Sequence, residues 1–200
     1  MVEQLKSTGP VLAVDAGHLF LREHTLPDSE RADREAKARL IAKATALGGI
    51  DAMLPGQGDI QFGRAFIEAV AKEYALPYVV SNANCDSPLP WPTKLEFDRG
   101  GVRIEVYGQW SGSAPLPGCR VFDSPEGLEG SVPSDTVVIV LADQSDRQVA
   151  ELTERFPAID LIVRSDAQKP LGTPAVMPNG GLLLSSGGKG KTLGILAVNV

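Results

Sequence analysis

Short, wholly apolar runs alternate along this chain with segments of helical period, and that alternation restricts it to an α/β fold. Residues 11–14, 52–54, 78–81, 136–141 and 161–163 read as strands, mostly buried. Between the first two, Asp28 or Ser29 caps a helix that stops at Gly48-Gly49, with Leu40, Ile41, Ala44 and Leu47 as its buried stripe. A loop over Pro55-Gly56-Gln57-Gly58-Asp59 leads to a second helix. Its Phe66, Ile67, Val70, Ala71 and Tyr74 share one face until Leu76-Pro77 ends it. Residues 95–97 and 102–107 alternate around Arg99-Gly100-Gly101 as a hairpin with one face toward water. Val149, Leu152 and Phe156 give a third helix, and two glycine-marked hairpin strands close the chain, the last over residues 192–200.

The 200 residues, 43% hydrophobic, suffice for one domain spanning 1–200, and no linker or repeat divides them. A last strand that stops without a polar tail predicts a piece of a longer protein. With 19 basic and 25 acidic side chains, the net charge of -6 gives no pull toward phosphate backbones, so nucleic acid is not an expected partner. The apolar runs are far short of the ~20 residues that cross a bilayer. His18 and His24 are the only histidines, too few for a histidine-rich metal cage. Cys85 and Cys119 form either one disulfide or two ordinary thiols. The polar opening Met1-Val2-Glu3-Gln4-Leu5-Lys6-Ser7 is not a secretory signal, which leaves a cytoplasmic protein or one whose leader lies outside this chain.

The segment Ser185-Ser186-Gly187-Gly188-Lys189-Gly190-Lys191-Thr192 has the look of a phosphate-binding loop, yet Ser185 stands where that motif needs glycine and no helix follows; it reads as a hairpin turn. The chemistry-bearing residues instead gather at strand ends. These are Asp15-Ala16-Gly17-His18, then Gly56-Gln57-Gly58-Asp59, then Asp143-Gln144, then Ser165-Asp166-Ala167-Gln168. In this arrangement residues 10–200 resemble the calcineurin-like metallophosphoesterases, and among them the catalytic domain of the secreted 5′-nucleotidases. Ile50-Asp51-Ala52-Met53, the stretch from Pro77 to Asn84, and Gly188-Lys189-Gly190-Lys191-Thr192-Leu193-Gly194 carry the likeness as well.

The resemblance implies an α-β-β-α sandwich of two sheets, here without its first strand. It also implies two metal ions about 3.5–4 Å apart that activate water against a phosphoryl group, and a periplasmic or secreted location. This chain departs from the family where the metals bind. His18 stands for a bridging aspartate, Gln57 for a metal-binding asparagine, and Gly58 for the histidine that assists the leaving group. Asp143 replaces a lone histidine, Ser165-Asp166-Ala167-Gln168 replaces Gly-His-x-His, and the opening Asp-x-His lies outside the chain. Asp59 matches the acidic partner of the lost histidine, as a relic or a loop cap. The expectation is a catalytically inactive domain with a binding or structural role, no cofactor and an unspecified protein partner. The alternative is a phosphoester hydrolase with a rewritten Mn or Mg site on His18, Asp143 and Asp166.

Overall fold

In the computed structural model, which describes residues 2–21, 25–112, 116–128, 130, 132–165, 173–186 and 193–197, the apolar runs 52–54, 78–81 and 136–141 are almost wholly buried, while 11–14 is half-buried. In chain order the elements are α1 (Val2–Lys6), β1 (Val14–Asp15), a 3-10 turn (Asp28–Glu30), α2 (Arg31–Leu47), β2 (Ala52–Met53), α3 (Gln57–Ile60), α4 (Arg64–Tyr74) and β3 (Ala83–Cys85). They continue with β4 (Leu95–Arg99), β5 (Val102–Trp110), β6 (Cys119–Val121), β7 (Thr136–Asp143), α5 (Asp146–Arg155), β8 (Leu161–Ser165), β9 (Ala175–Val176) and β10 (Leu182–Ser186). Six strands form one sheet in the order β4-β5-β7-β8-β10-β9. Its centre, β5, β7, β8 and β10, is parallel, and an antiparallel strand lies at each edge. A second, smaller sheet pairs β1 with β2, extended by a bridge from Met53 to Tyr78.

Alternation along each strand sorts the side chains into layers. Ala52, Leu54 and Val79 from the small sheet meet Ile104, Val106, Ile139 and Leu141 from the large one, forming the inter-sheet core. Met53 and Tyr78 point the opposite way and pack under α2 and α4 with Ala38, Ala42, Ile67 and Val70. Val138, Val140 and Ile162 take the far side of the large sheet, covered by Val149, Leu152 and Phe156 of and beyond α5. The result is the expected α-β-β-α sandwich. The parallel ladder places the carboxyl ends of β5, β7 and β8 side by side, with Trp110 opposite Asp143, and ligand crevices form at such edges.

Several local expectations need correction. Only Val14 and Asp15 of the first run and its border are strand, because Ala13 instead gives its carbonyl to Asp51 and its N–H to the Asp51 carboxylate. The loop at 55–59 contains a helical turn, α3, since Asp59 reaches back to accept the Gly56 N–H. Residues 78–81 make a single bridge rather than a strand: the Val80 N–H goes to Pro92 and that of Ser81 to Gly108. This approach is so close that a Cβ at Gly108 would lie 2.1 Å from the Val79 carbonyl oxygen. The second hairpin strand, β5, is buried on both faces from Ile104 onward. On α2 the buried residues are Ala38 and Ala42, while Leu40 and Leu47 are 69% and 71% exposed and Ala44 is exposed too. At the end of the chain β9 and β10 form one hairpin, and residues 193–197 are not strand. Residues 187–192, with Lys189 and Lys191, lie outside the described residues, as do 198–200.

Candidate functional site

Two interlocked loops build the site. The turn after β1 carries Gly17 at φ 101° and His18 at φ 60°, the latter a left-handed conformation that few side chains adopt without compensating contacts. The turn opening α3 lies directly against it: a Cβ on Gly56 would sit 2.3 Å from the His18 nitrogen, and one on Gly17 would sit 2.7 Å from Gly56 Cα. Both positions therefore require glycine. Asp59 locks the pair together. Its wholly buried carboxylate accepts the N–H groups of Gly56 (2.9 Å), Leu19 (3.2 Å) and Phe20 (2.6 Å).

His18 and Asp143, placed by different sheets, meet across this junction with Nε2 3.1 Å from Oδ1. A carboxylate only accepts, so the proton lies on Nε2. The other Asp143 oxygen accepts the backbone N–H of Gln57 at 2.8 Å, and the Ser165 hydroxyl stands 3.4 Å from Oδ1. The Gln57 side chain donates to Ser111 Oγ at 2.7 Å. Gly58 closes the remaining space: a Cβ there would be 1.8 Å from the Leu21 carbonyl oxygen and 3.3 Å from His18 Nδ1.

Charge in this junction is strongly coupled to burial. Burial alone would push the His18 imidazolium down, but the hydrogen bond and charge of Asp143, with Asp59 and Asp15 behind it, more than offset this and hold it above the ordinary histidine value. For Asp59 burial wins over its three N–H donors and the His18 charge, and its carboxyl is pushed up to about 6. Asp15 is raised for the same reason, against the pull of the Gly17 N–H and of His18.

The described residues of this junction do not by themselves make the dinuclear centre that the sequence resemblance implies. A bridging metal needs lone pairs free on several converging ligands. Here Asp143 accepts from His18 and from the Gln57 N–H, the wholly buried Asp59 accepts from three backbone N–H groups, and Gln57 turns its amide N–H to Ser111. Among the described residues no group of three or more His, Cys, Asp or Glu is arranged to hold a metal ion. Of the sequence candidates, the structure brings together His18, Asp143, Gln57, Gly58 and Asp59. Asp166, Gln168 and His24 lie outside the described residues. The stretch from Pro77 to Asn84 supplies Asn82, whose amide donates to the Trp110 and Phe122 carbonyls and accepts the Trp110 N–H. Sequence reasoning misses Ser111, although its place just past the end of parallel strand β5 is a signal that topology supplies.

No family model and no curated protein sequence matches the chain. Solved structures do. The sulfate thiohydrolase SoxB of Thermus thermophilus superposes with a TM-score of 0.71 at 16% identity, over 93% of this chain and 36% of that one. The calcineurin-like phosphoesterase YfkN of Bacillus subtilis gives 0.69 at 15%, over 92% and 70%. A 5′-nucleotidase precursor, also from Thermus thermophilus, gives 0.67 at 16%, over 92% and 41%. This chain therefore spans well under half the length of SoxB and of the nucleotidase, and its fold is that of the metallophosphoesterases.

Proposed function

We propose that this metallophosphoesterase-fold domain hydrolyses no phosphoester and serves as a binding or structural module. The observation that supports the reading is the His18–Asp143 contact at 3.1 Å, in which two residues that the sequence resemblance assigns to metal-ligand positions hold each other. Bound metal lowers the pKa of water from 15.7 to about 7, worth roughly 12 kcal/mol of access to hydroxide, and a proton donor adds typically 10²–10⁴ in rate. Gly58 supplies no donor, and the packing of Leu21 against it leaves no room for one. Asp59, enclosed by backbone N–H groups, acts as a brace between the two loops. Disulfides persist in oxidising compartments, so the Cys85–Cys119 bridge supports a place in the periplasm or outside the cell. Among the described residues no helix is long and apolar enough to cross a membrane.

The test is an assay of 5′-nucleotides and simple aryl phosphates over a range of divalent metals, paired with elemental analysis after dialysis. The expected result is no turnover above buffer and no stoichiometric Mn, Fe or Zn. A second reading draws on the same contact: because the fold brings His18 and Asp143 together, opening their pair would offer both to a metal, with Asp166, which lies outside the described residues, as the third ligand that the sequence suggests. Turnover that follows the protein peak and disappears in His18→Ala and Asp143→Ala would establish that hydrolase and end the first reading.

A further inference from the structure

A concavity of about 620 Å³ lies between residues 80–93 and 122–126, and its lining shares no residue with the His18–Asp143 junction. That volume suits a small organic ligand. Its walls mix apolar side chains, Trp91, Leu89 and Phe122 among them, with polar ones such as Asn84 and Thr93, and Trp91 is fixed edge-on to buried Tyr78 at 5.3 Å between ring centres. Phe122 remains 47% exposed, so its ring is accessible from solvent. The floor is braced by the Cys85–Cys119 disulfide and by Arg64, whose guanidinium holds the Ser87 and Pro88 carbonyls and pairs with Glu68.

One carboxylate lines the pocket. The Glu126 backbone is anchored by its N–H to the Ser81 carbonyl at 2.6 Å, which fixes where the residue stands, while its side chain is exposed and takes no hydrogen bond or ion pair among the described residues. Asp86 and Asp123 are the immediate chain neighbours of the lining residues Cys85 and Phe122. The nearby cations do not neutralise this: Arg64 is committed as described, and Arg120, opposite Asn84 across the β3–β6 pair, forms no part of the lining. A pocket lined both by aromatic rings and by a carboxylate favours a cation that carries an apolar body, since the charge is drawn both to the acid and to the negative faces of the rings.

We propose that this pocket binds an organic cation with a flat apolar body, in simplest form an arylalkylamine, its ammonium on Glu126 and its ring against Trp91 and Phe122. The proposal rests on the binding role given above and supplies its ligand class and location. It is tested by calorimetric titration of the full chain with phenethylamine, using 3-phenylpropionate as a probe of the same ring and opposite charge. Saturable one-to-one binding of the amine is expected, stronger than that of the acid. Glu126→Gln, an exposed change that leaves the backbone anchor intact, should weaken the amine by about two- to fivefold, and Trp91→Leu should weaken both probes. Equal affinity for the two probes, no loss in Glu126→Gln, or no heat at all would overturn it. If Asp143→Ala abolishes amine binding while Glu126→Gln does not, the ligand sits at the His18–Asp143 junction, which removes the pocket but keeps the binding role. Hydrolytic activity, the failure mode of the inactive reading, would leave these titrations unchanged.

Discussion

Asp59 shows how one residue type can serve a site without doing its chemistry. Its folded carboxyl is raised from 3.8 to about 6, so the ionised form is the one that the fold disfavours. A raised folded value means that the contribution is fully present below the unfolded pKa and is lost as pH rises through the folded one. The difference corresponds to about 3 kcal/mol at 1.36 kcal/mol per unit. His18 and Asp15 are raised too, and act in the same direction. Asp51 works oppositely: burial raises it, but the Ala13 N–H, Lys6 and Arg99 more than offset that and hold it low, so its contribution is lost in acid. The chain should therefore be most stable near pH 4, lose stability between about pH 4 and 6 through Asp59 and again above the ordinary histidine value through His18, and Asp59→Asn should flatten the first of these two limbs. Urea unfolding at closely spaced pH values measures it; stability rising steadily from pH 5 to 8 would contradict the argument. Gly58 gives a second residue-scale expectation. Gly58→His should lower the melting temperature, because its Cβ meets a backbone carbonyl at 1.8 Å, and should restore no hydrolysis.

At the scale of elements, helical period identifies α2 and α4 but cannot choose the face of α2. Leu40, Ala44 and Leu47 recur as regularly as Ala38 and Ala42, and hydrophobicity favours the leucines. The alanine face turns to the core because α2 lies close against α4, with Arg39 stacked over Phe66 and paired with Glu73, and a close approach needs small side chains. Leu40→Glu should change stability by no more than about 0.5 kcal/mol, whereas Ala42→Leu should cost about 1–3 kcal/mol through overpacking. Chemical denaturation of the two variants separates the faces, and a larger loss for Leu40→Glu would restore the leucine stripe. The cap of α5 is hidden in the same way: Gln148 reads as part of the helix, yet its pairing with Ser145 forms a capping box that lies beyond any apolar period. In contrast, β4 and β5 are legible because strict alternation and a glycine pair at the turn leave one register open.

For the molecule as a whole, the layers are readable because a parallel sheet covered on both faces demands continuous apolar strands, as in residues 136–141. The junction is readable only in its members. Residue identity names His18, Asp143, Gln57, Gly58 and Asp59, but the contact at 3.1 Å depends on two sheets converging, which no local pattern encodes. The cysteines illustrate the same limit, for their separation of 34 residues leaves pairing open until β3 and β6 set Cys85 directly opposite Cys119. That bridge should matter more than its three-residue strands suggest. Closing a loop of this length removes about 3–4 kcal/mol of unfolded-state entropy on the chain-entropy account. Asn82 then passes the constraint to the large sheet by joining Trp110 at the end of β5 to Phe122 just past β6. At about 2–4 °C per kcal/mol for a chain of this size, reduction should lower the melting temperature by roughly 10 °C, with Cys85→Ser reproducing the effect without reductant. Calorimetry of oxidised and reduced protein, with mass spectrometry to establish the thiol state, decides it. A melting temperature unmoved by complete reduction would mean that the Asn82 hydrogen bonds hold β3 and β6 in place by themselves.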